Sequence, residues 1–149
     1  MNWVIASDHA GFNLKNILAS KLQELGYFVA DLGTHNATDS VDYPDYADKA
    51  AQAILSSGAD MGILVCGSGI GVSMRANRYK GIRAPLIHNE FTARAAKEHS
   101  NANIICFGER VTDAETALHC LQTFIDAKFE GGRHQNRLDK LDAPLNDIA

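Results

Sequence analysis

The chain has 149 residues, a formal net charge of -4, 46% hydrophobic residues and 21% charged ones. That length predicts a single domain over residues 1–149 that buries about 68–70% of its unfolded surface, and the acidic balance argues against a nucleic-acid binder. No apolar run approaches the roughly 20 residues of a membrane span. Cys66, Cys106 and Cys120 are odd in number and widely spaced, which fits a reducing cytoplasm better than a disulfide framework or a zinc site. The first residues read straight into a strand, so no signal peptide is expected.

The predicted elements alternate. Trp3 to Ala6 is an apolar strand that leads into Ser7-Asp8-His9-Ala10-Gly11. Leu14, Ile17, Leu18, Lys21, Leu22 and Leu25 then form one apolar helical face, with the Lys21 stem able to snorkel. Gly26 is a suitable helix stop. Tyr27 to Leu32 is a second strand, and Gly33 to Ser40 is a polar loop. Pro44 sits near a helix start, where its missing N–H costs little. Ala47, Ala50, Ala51, Ile54 and Leu55 carry that helix on to Gly58.

Met61 to Val65 is an apolar run with the character of a strand buried on both faces. It runs into Cys66-Gly67-Ser68-Gly69-Ile70-Gly71, and a helix opens from Val72 to Asn77. Such a turn presents free backbone N–H groups at a positive dipole end, which suits an anion or a developing oxyanion. Cys66 stands at its mouth, where a thiolate is favoured as nucleophile or general base; the competing reading is a small buried hydrophobe. Three familiar glycine loops fit poorly. The spacing is G-x-G-x-G and not G-x-G-x-x-G, no Lys follows as in a P-loop, and no Arg closes the loop as a cysteine phosphatase would require.

Ile82 to Ile87 is a fourth strand, which Pro85 restricts to an edge. Glu90 to Glu98 is helical and ends near His99, and Asn103 to Phe107 is a fifth strand. Thr112 or Asp113 caps a helix whose buried face is Ala117, Leu118, Leu121, Phe124 and Ile125. The tail breaks at Gly131 and Gly132 and resumes as a short helix. These units predict an α/β fold, a three-layer α/β/α sandwich of Rossmann-like type with a five-stranded parallel sheet.

Ligands bind such folds at the carboxyl ends of the strands. That rule gathers Asp8 and His9, Cys66 and its glycines, His88 and Asn89, and Arg110 on one edge. Each has a plainer role available: Asp8 as a helix cap, His9 as a loop residue, Arg110 as a surface charge. Arg133 and Arg137 are spaced i, i+4 and share a helix face; they suit a phosphate, or simply form a solvated basic face. His99 at a helix end fits either the dipole's preference for a cation or a group that titrates near neutrality. The six histidines form no tight pair in sequence, and no H-E-x-x-H or C-x-x-C occurs, so no metal is expected.

Several separated motifs, in order, resemble the type B ribose-5-phosphate isomerases, a family shared with the galactose-6-phosphate isomerase subunits. They are Ser7-Asp8-His9-Ala10-Gly11, Asp31-Leu32-Gly33-Thr34, Asp42-Tyr43-Pro44-Asp45-Tyr46-Ala47, Cys66 to Gly71, Asn77, Gly81-Ile82-Arg83-Ala84 and His99. Phe107-Gly108-Glu109-Arg110-Val111 and Gly131-Gly132-Arg133-His134-Gln135-Asn136-Arg137 complete the set. Ser68 stands where Thr is also common, and Ser100 where many members have Asn.

The resemblance implies a cytoplasmic enzyme of the pentose phosphate pathway. It would interconvert D-ribose 5-phosphate and D-ribulose 5-phosphate through an enediolate, with no cofactor. It implies Cys66 as the base, His99 as the ring-opening group with Asp8 and Tyr43 nearby, and the amides of Gly67, Ser68, Gly69, Ile70 and Gly71 on the enediolate oxygen. Ser100 would touch substrate, and His9, Arg110, Arg133 and Arg137 would hold the phosphate. A homodimer, or a tetramer as a dimer of dimers, is implied, with each site built from two subunits.

Three other readings compete. One is an isomerase of a hexose 6-phosphate, of allose or galactose type. Another is a sugar-phosphate-binding module without turnover, which the presence of both Cys66 and His99 disfavours. The last is a flavodoxin-like redox or signalling domain, disfavoured because Asp8 follows strand one and not strand three.

Overall fold

The computed structural model describes residues 1–145. Its strands are β1 (Asn2–Ser7), β2 (Phe28–Asp31), β3 (Met61–Cys66) and β4 (Ile104–Gly108). Its helices are α1 (Phe12–Glu24), α2 (Tyr43–Leu55), α3 (Ile70–Ala76), α4 (Glu90–Glu98), α5 (Ala114–Asp126) and α6 (Arg133–Asp142). The strands lie in the order β2-β1-β3-β4, and every pairing is parallel.

The period-2 alternation of the strands divides the core in two. Trp3, Ile5, Ile63, Val65, Ile105 and Phe107 face one way, onto α1, α4 and α5. Val4, Ala6, Leu64, Cys66, Ile104 and Cys106 face the other, onto α2 and α3. A parallel sheet covered on both faces needs apolar residues at consecutive positions, and β3 is buried throughout. The result is the expected three-layer α/β/α sandwich.

The sheet has four strands among the described residues, not five. The segment 82–87 does run beside β4, and Arg83 O and Pro85 O accept from Ile104 N and Cys106 N, while Ile87 N donates to Cys106 O at 2.9 Å. Only the single bridge Leu86↔Cys106 results. Pro85 has no N–H to give, so the ladder is interrupted there and the segment stays an edge.

Helix ends follow local chemistry. Asp113, not Thr112, caps α5 by accepting from Thr116 N at 2.7 Å. Asn89 and Thr92 form a capping box on α4. Gly26 ends α1 with φ of 90°, a conformation that costs glycine little. Lys15 is the lysine taken fully into the interior, while Lys21 is half-buried. The Lys15 Nζ is 2.7 and 2.6 Å from the two oxygens of Asp31. Asp31 also accepts from Gly33 N at 2.9 Å. Thr34 N then donates to Ser7 O and Ser7 N to Gly33 O, both at 2.8 Å, so the loop after β2 is held against the end of β1.

Candidate active site

The carboxyl ends of β1, β3 and β4 meet at a cavity of about 490 Å³ lined by Asp8, His9, Tyr43, Cys66, Gly67, Ser68, Ile70, Gly71 and Arg110. Several of these residues are held in place by hydrogen bonds. Asp8 is buried and its Oδ1 accepts from Gly11 N at 3.1 Å, so it does cap the turn that follows β1. His9 Nδ1 accepts from Val41 N at 3.1 Å. An accepting Nδ1 puts the proton of the neutral ring on Nε2. Arg110 N donates to Gly67 O and Glu109 N to Cys66 O, each at 3.0 Å, which locks the loop after β4 onto the glycine loop.

Glu109 is a supporting residue: it lies in the Phe107–Val111 motif, but the sequence assigned it no role of its own. Its Oε1 accepts from Leu14 N in the first turn of α1 at 2.6 Å. The helix start behind His9 and the loop bearing Arg110 thereby become one piece. Only the spatial meeting of residues 14 and 109 creates this cap, and the sequence carries no local signal for it.

Cys66 is 4% exposed, and its Sγ accepts the Gly69 amide at 3.2 Å. The other two cysteines lie off the cavity, and burial pushes both thiols up, above the range in which they would ionise at neutral pH. The Ile70 amide is taken by Ser68 Oγ at 3.2 Å. Two of the loop amides are therefore already engaged, which the sequence could not reveal.

Glycine is required at Gly69 for two reasons. Its φ is 78°, and a Cβ there would lie 2.8 Å from the Phe107 carbonyl carbon and 3.0 Å from Gly108 N. Left-handed backbone costs a side chain roughly 1–2 kcal/mol, and overpacking adds about 1–3 kcal/mol. Gly69→Ala should therefore lose at least about 2 kcal/mol, a fall in Tm of roughly 4 °C or more for a domain of this size. Calorimetry checks this, and an unchanged Tm would mean the loop is not constrained as described.

The remaining candidates lie elsewhere. Asn89 is committed to capping α4, and neither it nor His88 lines the cavity. Ser100 lines a different cavity of about 550 Å³, between residues 77–85 and the end of α6. That cavity holds no cysteine or histidine, and its Arg83 and Asp142 are paired with each other at 2.6 Å.

His99 ends α4, which runs back from the carboxyl to the amino edge of the sheet. The register pairs Gly62 with Ile104 and Cys66 with Gly108, so His99, which precedes Ile104, lies at the amino edge. At about 3.3 Å per residue, Cys66 and His99 of one chain are separated by roughly 13 Å or more along the strands. Asp8 and Tyr43 accordingly line the cavity with Cys66 and are not beside His99 within one chain.

The amino edge gathers its own group. His99 and His134 stack with ring centroids 4.3 Å apart and planes 11° from parallel. Glu130 Oε1 is 3.6 Å from His99 Nε2. The sequence spacing showed no such histidine pair; α6 packing on the end of α4 makes it. Burial, then His99 and Arg133, hold the His134 imidazole below its usual range, so the ring is neutral near pH 7. Arg133 and Arg137 are exposed on α6, and neither forms an ion pair with a described residue. One chain thus carries two separate groups on opposite edges: a thiol and glycine loop at one, histidines and unpaired guanidiniums at the other.

Comparison with known proteins bears on this arrangement. Residues 3–141 match the family model described as Ribose/Galactose Isomerase. A probable ribose-5-phosphate isomerase B of Mycoplasma genitalium is 45% identical over 94% of this chain and 93% of its own length. A ribose-5-phosphate isomerase B structure from Clostridium thermocellum superposes with a TM-score of 0.93 at 46% identity, covering 95% of each chain. The Mycoplasma genitalium ribose-5-phosphate isomerase B, solved with bound ribulose-5-phosphate, superposes with a TM-score of 0.90 at 42% identity, over 95% of this chain and 93% of that one.

Proposed function

The chain belongs to the ribose/galactose isomerase family, and from that premise we propose that it is a ribose-5-phosphate isomerase, one sugar-phosphate isomerase domain that interconverts D-ribose 5-phosphate and D-ribulose 5-phosphate. The observation that carries the reading is Cys66. Its sulfur ends the central strand, accepts the Gly69 amide at 3.2 Å and lines a cavity that also holds His9 and Arg110.

The reaction moves a proton between C1 and C2. Cys66 takes it from one carbon and returns it to the other, and a positioned general base contributes about 10²–10⁴-fold. The enediolate oxygen needs N–H donors. With the Gly69 and Ile70 amides engaged within the loop, those of Gly67, Ser68 and Gly71 supply them. Each such donor is worth on the order of 3 kcal/mol in the transition state. His9 and Arg110 hold the phosphate at this edge.

Ring opening falls to His99, and phosphate binding is completed by Arg133 and Arg137. These stand at the other edge of the same chain, so a working site takes them from a second copy. We read the protein as a homodimer at least, with the amino-edge group of one subunit placed over the Cys66 cavity of the other. Ser100, next to His99, then enters the site from that second copy. Among the described residues no helix is long and apolar enough to cross a membrane. The three cysteines are free, which suits a reducing compartment such as the cytoplasm.

Isomerisation assays on ribose 5-phosphate, allose 6-phosphate and galactose 6-phosphate test the substrate. The ribose compound should be turned over with a kcat/KM at least about tenfold above the others; preference for a hexose phosphate would replace it as substrate and leave the chemistry in place. A second expectation concerns metal. The thiolate and amide donors suffice for the chemistry without a Lewis acid, so exhaustive chelation with EDTA should leave kcat unchanged. Activity lost to EDTA and restored by zinc or manganese would reject the cofactor-free mechanism.

A further inference from the structure

The stacked histidines have a third neighbour whose chemistry the isomerase reaction does not use. One donor atom from each of His99, Glu130 and His134 lies within 4.8 Å of the others. Glu130 is tied to this place by its backbone, since Glu130 N donates to Glu98 O at 3.0 Å. A separate observation points to a ligand. His134 is 6% exposed, and its Nε2 is buried with no hydrogen-bond partner among the described residues. Buried polar atoms without partners are few in native proteins and call for an explanation, an ion among them.

Two imidazoles and one carboxylate form the His₂Glu donor set that holds zinc with a fourth position open to water. The hard cations Mg²⁺ and Ca²⁺ prefer all-oxygen surroundings and fit it poorly. We propose that His99, Glu130 and His134 bind one divalent transition-metal ion of the zinc type, and that the bound ion is inhibitory.

The geometry requires a small closure. Bonds of about 2.0–2.2 Å around a tetrahedral ion put the donors roughly 3.4 Å apart. His134 is the fixed anchor, while the side chains of His99 and Glu130 are 43% and 46% exposed and free to move in. A ligated ion lies in the plane of each imidazole, so the two near-parallel rings cannot both bind it while stacked. The His99 ring therefore tilts away from His134 on binding. The ion then occupies the Nε2 with which His99 would serve the sugar. This inhibitory consequence rests on the role proposed above for His99; the metal site itself does not.

Titration calorimetry with zinc sulfate tests the site, using the full chain in a Cys66→Ala background so that the catalytic thiol cannot bind the metal. One Zn²⁺ per chain should bind, and His134→Ala or Glu130→Gln added to that background should each weaken binding at least about tenfold. Circular dichroism checks that His134→Ala folds; if it does not, Glu130→Gln decides alone. No zinc binding in Cys66→Ala, or binding unaffected by Glu130→Gln, overturns the proposal.

Inhibition is then read in the enzyme with Cys66 intact. Zinc at fixed free concentration should suppress ribose 5-phosphate turnover, and Glu130→Gln should need about tenfold more zinc for the same inhibition. Zinc bound at these residues without inhibition would leave the metal site standing, overturn its inhibitory character and reject the role of His99 in turnover.

Discussion

Cys66→Ala is expected to fold normally and to lose about 10²–10⁴-fold in kcat, because a methyl group cannot accept a proton. The structural cost should be small. The side chain is already compact, and the one hydrogen bond lost, from the Gly69 amide at 3.2 Å, is worth about 1 kcal/mol against a total stability of roughly 5–15 kcal/mol. Iodoacetamide should inactivate the unmodified enzyme by alkylating one thiol, and bound substrate should protect it. The selectivity has a physical basis: burial keeps the Cys106 and Cys120 thiols protonated, and only Cys66 lines the cavity. A Cys66→Ala enzyme that kept more than about a tenth of the normal kcat would have lost far less than a general base contributes, and the assignment would fail.

The second large effect is expected at His99, and it should differ between two assays. Ribose 5-phosphate is mostly a closed furanose. Ribulose 5-phosphate cannot close into a five-membered ring, because its C5 oxygen carries the phosphate and its C4 hydroxyl is too near. The aldose substrate therefore needs a group that moves a proton between O1 and the ring oxygen. Histidine suits this task, with an unperturbed pKa of about 6.5. His99→Asn should thus lower turnover of ribose 5-phosphate by roughly 10²-fold or more. It should spare solvent deuterium wash-in at C1 of ribulose 5-phosphate, which needs only the base and the oxyanion donors. Cys66→Ala should abolish both. NMR of the exchange beside a coupled assay in the ribose direction separates the two. Equal losses in His99→Asn would assign His99 to the enediolate step or to folding alone, and ring opening would have to be sought elsewhere.

Mixing the two variants adds a test of the split site. Each inactive homodimer lacks one half, but a hybrid dimer of Cys66→Ala with His99→Asn contains one site with both residues intact. Co-refolding the two should restore up to about a quarter of normal activity, since half the dimers are hybrids and each has one working site of two. If mixing restores nothing, Cys66 and His99 do not act across a subunit boundary.

Much of this protein is written in local sequence. Short apolar runs assigned β1, β3 and β4, and the i, i+3, i+4 pattern assigned α1 and α5. The run from Met61 to Gly71 identified the central strand, the thiol and the anion-friendly turn before any fold was known. These features are legible because they depend on neighbours a few residues apart, on backbone sterics and on periods of 2 and 3.6. The tertiary structure decided everything that depends on how elements meet. Pro85 left residues 82–87 with an interrupted ladder, although their composition reads as a strand. Glu109 reaches Leu14 across 95 positions to join the loop bearing Arg110 to α1. His134, part of a tail that reads as a basic helix face, is buried against His99. Above all, His99 lies at the sheet edge opposite Cys66, because a helix between two parallel strands must run back along the sheet, and only the tertiary structure brings α6 and His134 onto that helix end.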